Sequence, residues 1–127
     1  MDGVEIRQEN NIYFFQVQRD LSNASRLVAL YPAALESGSV GGIFVSFSSD
    51  GVRWTAPERL MASEIQKDWR TPDHPIGFVQ EREAAAAPGS AAGISIFVQR
   101  NVLLVQKRPP PSFICRYPLR SGWRARV

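Results

Sequence analysis

The residues best suited to chemistry lie in one short segment, residues 69–75 (WRTPDHP). Asp73 stands beside His74, whose imidazole titrates near neutral pH and whose charged form a carboxylate stabilises, so the pair could share a proton or hold a polar ligand. We therefore predict Asp73 and His74 as catalytic residues. The alternative is a proline-bracketed loop with a solvated aspartate and histidine.

The sequence lacks the residues that several other kinds of site require. Cys115 is the single cysteine and His74 the single histidine, which excludes an intrachain disulfide and a zinc site built from a cysteine cluster. We expect no metal and no cofactor. Tyr13, Tyr31 and Tyr117 have no adjacent glutamate to activate them as nucleophiles.

The segments that would position these residues are predicted to be β-strands. Residues 11–18, 26–32 and 43–48 combine aromatic and β-branched side chains over strand-like lengths. In residues 26–32 both faces are apolar, which predicts a central strand. A short fourth strand is expected to start near residues 52–55 and to end at residues 59 and 60.

The second half of the chain is less regular. Residues 61–70 are predicted to form a connecting segment with room for one helical turn. The segment is too short for a stable helix and is followed by proline. Strands are predicted at residues 76–80, 93–105 and 113–119, the last at an edge because it contains Pro118. Residues 82–92 (REAAAAPGSAA) are expected to form a loop.

This order predicts an all-β fold. Four antiparallel strands in meander order over about 50 residues match the repeat of a β-propeller blade. We expect about two blades: residues 1–62 as the first, 63–75 as a connector, and 76–127 as a partial second blade with a basic tail that lacks acidic residues. A closed propeller needs roughly four to eight blades. A small antiparallel sheet of another architecture is the alternative.

One turn carries a specific motif. Ser48, Asp50, Gly51 and Trp54 follow the pattern S-x-D-G-x-x-W. An aspartate carboxylate can accept hydrogen bonds from turn amides, glycine accepts a positive φ, serine adds a hydroxyl, and tryptophan packs the turn onto a sheet. These four residues are therefore predicted to support the fold.

The motif resembles the Asp-box of sialidase-like propellers and a similar turn in glycoside hydrolase propellers. The resemblance implies a position between the third and fourth strands of a blade. It also implies catalysis in a closed ring of blades. Sialidase-like enzymes use an arginine cluster for a substrate carboxylate, a tyrosine nucleophile helped by a glutamate and an aspartate acid/base, whereas furanose-cleaving propellers use carboxylates from different blades. On this resemblance Arg70 is predicted to be substrate-binding. We therefore expect a fragment of a carbohydrate-active propeller that is inactive alone, and a glycoside hydrolase if the parent protein is an enzyme.

The charge distribution and the hydropathy of the chain limit the kinds of partner that it could bind. Residues 1–83 carry a net charge of −4 and residues 84–127 a net charge of +7. The basic residues of the second segment are scattered, so we do not expect nucleic-acid binding. No apolar run approaches the about 20 residues that span a bilayer. No compartment is predicted.

Carbohydrate is the partner that the resemblance implies. A small β-rich binding module without catalysis is the alternative function. In either case, sheet edges left open could drive self-association.

Overall fold

A computed structural model describes residues 11–66, 70–80, 90–102 and 110–120 of the chain. Within those ranges every helix or strand assigned is a β-strand. The strands are β1 (Asn11–Ile12), β2 (Gln16–Asp20), β3 (Asn23–Leu35), β4 (Val40–Ser48), β5 (Glu58–Ala62), β6 (His74–Gln80), β7 (Ser90–Arg100) and β8 (Phe113–Arg120). The all-β prediction is confirmed.

The first sheet is an antiparallel meander. β4 pairs with β3 on one side and with β5 on the other. The remaining edge of β3 is covered by β1 and β2, which bond to successive parts of it and are separated by residues 13–15. The sheet thus has four rows of backbone, the first one interrupted, and β3 is a central strand as predicted.

The second sheet has the order β6-β7-β8 and is also antiparallel. β6 begins at His74, two residues earlier than the predicted start of this strand. β7 begins at Ser90, inside the predicted loop. Its described end is Arg100, after which Asn101 takes a φ of 61°.

The fourth strand begins later than predicted: the start near residues 52–55 is wrong, whereas the predicted end at residues 59 and 60 lies in the observed strand. The turn after β4 and an irregular stretch occupy residues 49–57, and the fourth strand is β5. The physical reason is local, because residues 52 and 53 direct their amides to the Asp50 carboxylate, away from a neighbouring strand. The predicted helical turn in residues 61–70 falls partly on residues 67–69, which lie outside the described ranges, as does the tail beyond residue 120.

The two sheets share one hydrophobic core. Alternate residues of β3 and β4 face the second sheet, as the two-residue side-chain period of a strand requires. The buried members of this core are Val28, Leu30, Ile43, Val45, Phe47, Phe78, Ile94, Ile96, Val98 and Leu119. Five of them come from each sheet, so neither sheet buries its apolar face alone.

The opposite face of the first sheet holds a second apolar cluster. Ala29, Tyr31, Ala33 and Phe44 are buried there, and Phe15 stacks on Tyr31 with ring centroids 4.8 Å apart. The Tyr31 hydroxyl forms a hydrogen bond of 2.7 Å with the Ser46 hydroxyl. Burial raises the pKa of Tyr31 to about 12, against the smaller lowering effect of the Ser46 bond.

β2 and β6 run side by side in the same direction. The Gln18 side chain donates to the Phe78 carbonyl over 3.3 Å and accepts from the Phe78 amide over 2.9 Å. Gln16 donates in the same way to the Ile76 carbonyl. Two residues along β2 therefore correspond to two residues along β6, which makes the strands parallel.

Gly77 permits this approach. Its φ is 152°, which L side chains rarely adopt, and an added Cβ would lie 3.1 Å from Gln18 Oε1. The glutamine side chains thus cover an edge of β6 where a neighbouring backbone would otherwise bond.

Candidate functional site

Side-chain hydrogen bonds within residues 48–54 hold the Asp50 turn together. The Asp50 Oδ1 atom accepts from the amides of Val52 and Arg53 at 2.9 and 2.8 Å, and from the Ser48 hydroxyl at 3.1 Å. The Ser48 hydroxyl accepts in turn from the Gly51 amide at 2.8 Å. These bonds hold the pKa of Asp50 below its usual value, the Arg53 amide having the largest effect.

Gly51 and Trp54 complete the turn. Gly51 has a φ of 77°, the left-handed conformation that favours glycine. The Trp54 indole donates to the Gly51 carbonyl over 3.3 Å, and its ring packs edge-on against Phe15 at 5.0 Å. The turn lies between β4 and β5, the third and fourth rows of the first sheet.

The second candidate region surrounds Asp73, just before β6. Its carboxylate is buried and has a separate partner for each oxygen. Oδ2 accepts from the Ser63 hydroxyl at 2.7 Å, and Oδ1 lies 3.1 Å from Nε of Arg100. Arg100 also donates to the Tyr117 hydroxyl over 2.8 Å. A carboxylate, a guanidinium, and two hydroxyls are thus joined in one network.

Three parts of the fold bring these groups together. Ser63 follows β5 and is held there because its amide donates to the Gly41 carbonyl at the start of β4. Asp73 precedes β6, and Arg100 ends β7, which pairs with β6 through the contact of Gln99 with His74. The network therefore lies at the end of the molecule where β4 begins, whereas the Asp50 turn lies where β4 ends.

An open cleft of about 520 Å³ borders the network and is called here the Asp73 cleft. Its volume is within the range of small-molecule sites. Its walls are mixed in character, with two carboxylates, one guanidinium and two prolines among the described residues. The lining residues are Ala62, Ser63, Glu64, Pro72, Asp73, Arg100, Asn101 and Pro110.

His74 takes different partners from Asp73. Its ring packs against Phe14 edge-on at 5.2 Å and against Tyr13 at 6.1 Å, in the interruption between β1 and β2. Its Nε2 atom is buried and has no hydrogen-bond partner among the described residues. Burial lowers the pKa of His74, against the smaller raising effects of the Asp73 charge and of a hydrogen bond to the Thr71 backbone.

The structure brings one predicted residue to the cleft and sets two apart. Asp73 lines it, whereas His74 and Arg70 are not among its described lining residues. Arg70 pairs with Gln66 through an isolated antiparallel bridge, in which the Gln66 amide donates to the Arg70 carbonyl. The catalytic role of Asp73 and His74 and the substrate-binding role of Arg70 stay predictions.

Sequence reasoning missed Arg100, Glu64 and Ser63 as candidates. Glu64 and Ser63 fall in the segment interpreted as a connector, and Arg100 among the scattered basic residues. Their position at the ends of β5 and β7 could have marked them as candidates, because side chains at the ends of strands lie together at the rims of sheets. Deciding which ends meet requires the register of the sheets.

The Asp73 cleft has the groups for polar recognition. Arg100 and Asn101 can donate hydrogen bonds to ligand oxygens, and Glu64 can accept from hydroxyls. Asp73 and Glu64 each contribute a carboxylate to the lining. The described residues contain no group of three or more histidine, cysteine, aspartate or glutamate side chains that could hold a metal ion.

Within the described ranges, no helix has the length and apolar character needed to cross a membrane. No family model matches the chain, and comparison with curated proteins and with solved structures finds no match.

Proposed function

We propose that this chain forms two neighbouring blades of a carbohydrate-active β-propeller, of the sialidase-like or glycoside hydrolase type, and that it does not turn over glycans alone. The observation that carries the proposal is the parallel, side-by-side course of β2 and β6. Neighbouring blades of a propeller repeat around an axis, so their first strands should run in the same direction. Gln16 and Gln18 bond to backbone groups 60 residues further along in each case.

The Asp50 turn gives independent support. It joins the third and fourth rows of the first sheet, the place of the Asp-box in the propellers that the sequence resembles. The three strands of the second sheet then correspond to the first three of the next blade. The shared core between the sheets corresponds to the packing of one blade on another.

The carbohydrate part of the proposal rests on the resemblance and on the polar Asp73 cleft. Hydroxyl-rich ligands need donors and acceptors close together, and Arg100, Asn101 and Glu64 provide both. Full catalysis in such propellers needs residues from other blades, which is why the chain alone should be inactive.

The test combines binding with turnover. Isothermal titration of the whole chain against a panel of neutral and sialylated oligosaccharides should detect weak binding, with dissociation constants of about 1 mM or above. Fluorogenic glycosides and sialosides should show no turnover. Absence of binding across the panel would contradict the carbohydrate assignment, and robust turnover would contradict the inactivity of the isolated chain.

A pair of variants localises the site. Glu64→Gln removes a charged acceptor from the Asp73 cleft and should weaken glycan binding about tenfold, since hydrogen bonds to charged groups contribute about 1.5–3 kcal/mol. Glu58→Gln makes the same change in β5, outside the described lining, and should leave binding unchanged. Equal effects of the two changes would place binding elsewhere.

A second candidate function is a small β-rich binding module without catalysis. The observation that favours it is the exposure of Phe113 and Ile114 on β8, 48% and 65% respectively, since exposed apolar residues beside a strand edge recruit partners. Light scattering discriminates the two functions. A monomer with one cooperative melting transition favours the module, whereas self-association favours propeller blades whose neighbours are missing.

A further inference from the structure

A second cleft lies beside the Asp50 turn, at the end of β4 opposite to the Asp73 cleft, and shares no described lining residue with it. We call it the Arg26 cleft. Its volume is about 350 Å³, enough for a small ring compound. Its lining residues are Arg26, Phe47, Ser48, Ser49, Arg53, Trp54 and Thr55.

The described lining of this cleft contains two arginines and no carboxylate. Arg26 is held in place from two sides. Its Nε and Nη2 atoms lie 2.8 and 2.7 Å from Oδ2 of Asp20, whose side chain is only 3% exposed, and its Cζ atom lies 4.3 Å above the Phe47 ring. Its Nη1 atom has no hydrogen bond to the described residues, so it remains available to a ligand. Arg53 also lines the cleft and is exposed.

The aromatic wall is also fixed before any ligand arrives. The Trp54 ring is restrained by its hydrogen bond to Gly51 and by its edge-on contact with Phe15. Thr55 Oγ1 accepts from the Phe47 amide at 3.0 Å, which leaves its own proton free to be donated to a ligand oxygen. Groups that are already ordered lose little conformational entropy on binding.

We propose that the Arg26 cleft binds a small ring compound that carries a carboxylate. The carboxylate accepts hydrogen bonds from Arg26 and Arg53, and guanidinium groups suit carboxylates because both are planar and can bond in pairs. The ring packs against Trp54. An aromatic carboxylic acid and an acidic monosaccharide share this chemistry. The inference does not depend on the proposed function, because it concerns a separate cleft.

The experiment is a titration of the isotopically labelled full chain, followed by amide and indole NMR shifts. Benzoate represents the aromatic acids and glucuronate the acidic sugars, while benzamide and methyl glucoside are their neutral counterparts. We expect saturable shifts at Ser49, Arg53 and Trp54 with a dissociation constant of about 1–10 mM for at least one acid. Its neutral counterpart should bind at least about fivefold more weakly.

The two acids distinguish the sources of the ligand. Saturation by benzoate alone assigns the cleft to aromatic acids, and saturation by glucuronate alone assigns it to acidic sugars. Saturation by both supports the shared class. The proposal is overturned if neither acid gives saturable shifts at these residues, or if the neutral compounds bind as tightly as the acids.

Matched arginine variants test the role of charge. Arg53→Gln should weaken binding of the acid at least about fivefold, because it removes an exposed cationic donor without disturbing the Arg26–Asp20 pair. Arg116→Gln makes the same change on β8 of the second sheet and should leave binding unaltered. An unchanged affinity in Arg53→Gln would overturn the proposed contact. Because Arg53 is exposed, the variant should fold.

Discussion

At the scale of residues, Asp50 and Asp73 are satisfied by different kinds of partner. Asp50 is exposed and accepts mainly from amides within three residues of itself, so its turn depends on local sequence alone. Asp73 is buried and depends on Ser63 and Arg100, which come from distant parts of the chain. A change at Asp50 should therefore affect one turn, whereas a change at Asp73 should affect the joint between the sheets.

We expect Asp50→Ala to lower the melting temperature by about 5 °C, because the turn amides lose their acceptor. Asp50→Asn keeps an oxygen at the same position, so its melting temperature should fall by less than half as much.

The stability of the turn should also depend on pH. Since folding lowers the pKa of Asp50 below 3.8, the charged turn contributes stability above that pH and loses it as the pH falls through the lowered value. Thermal melts from pH 7 to pH 2 check this. Equal melting temperatures for the alanine variant and the unchanged chain would contradict it.

His74 should make folding sensitive to mild acid. Burial lowers its pKa below 6.5 in the folded chain, so the unfolded chain takes up the proton first. Neutral His74 therefore contributes fully to stability above pH 6.5, and this contribution declines as the pH falls toward the lower pKa of His74 in the folded chain. Between pH 7.5 and pH 5.5 the free energy of unfolding, measured by urea denaturation, should fall less for His74→Gln than for the unchanged chain. An NMR titration giving a His74 pKa above 6.5 would contradict the prediction.

At the scale of elements, glutamine side chains replace backbone pairing between β2 and β6. Gln18 satisfies both the amide and the carbonyl of Phe78, a residue that is only 8% exposed. Gly77 leaves the space for the side chain to cross. Because each glutamine offers one acceptor and two donors, it can imitate the bonds of a neighbouring strand. The contact aligns the two sheets while keeping them separate.

Gln18→Ala should destabilise the fold by about 1–3 kcal/mol, because it removes the hydrogen bonds that the Gln18 side chain makes to the Phe78 amide and carbonyl. Gln99→Ala is the matched control, since Gln99 is exposed and its side chain bonds to Ser112 near the rim. That variant should cost less than about 0.5 kcal/mol. Urea denaturation gives both values. Similar costs for the two variants would show that the bonds between β2 and β6 contribute little.

At the scale of the whole molecule, the shared core joins the sheets into one stability unit. Leu30 is fully buried and belongs to the cluster that includes Ile96 and Val98 of the second sheet. Truncating a residue in such a core removes contacts on both sides of the interface. The sheets should therefore unfold in a single transition.

Leu30→Ala should destabilise the molecule by about 2–5 kcal/mol, the usual cost of such a change in a core. Hydrogen exchange should report reduced protection in β3 and β7 alike. Val79→Ala is a control in β6, because Val79 is 47% exposed and should cost less than about 0.5 kcal/mol. Loss of protection confined to the first sheet would mean that the sheets open separately.

Several elements were predictable because their causes are local. The alternation of apolar side chains in β4 fixes which residues share a face, since successive side chains of a strand point to opposite sides. Asp50 and Gly51 mark their turn for the same reason. The start of the fourth strand was misplaced because the turn amides bond to a carboxylate, which β propensity in residues 52–55 does not reveal.

By itself, the sequence determined an all-β fold, the central place of β3 and the Asp50 turn, because these depend on neighbours a few residues apart. Only the tertiary structure decided that Asp73 meets Arg100 and that His74 packs against Phe14. It also decided that Gln18 aligns with Phe78. Those contacts join residues far apart in sequence, and their partners are selected by the register and packing of two sheets, which no local pattern encodes.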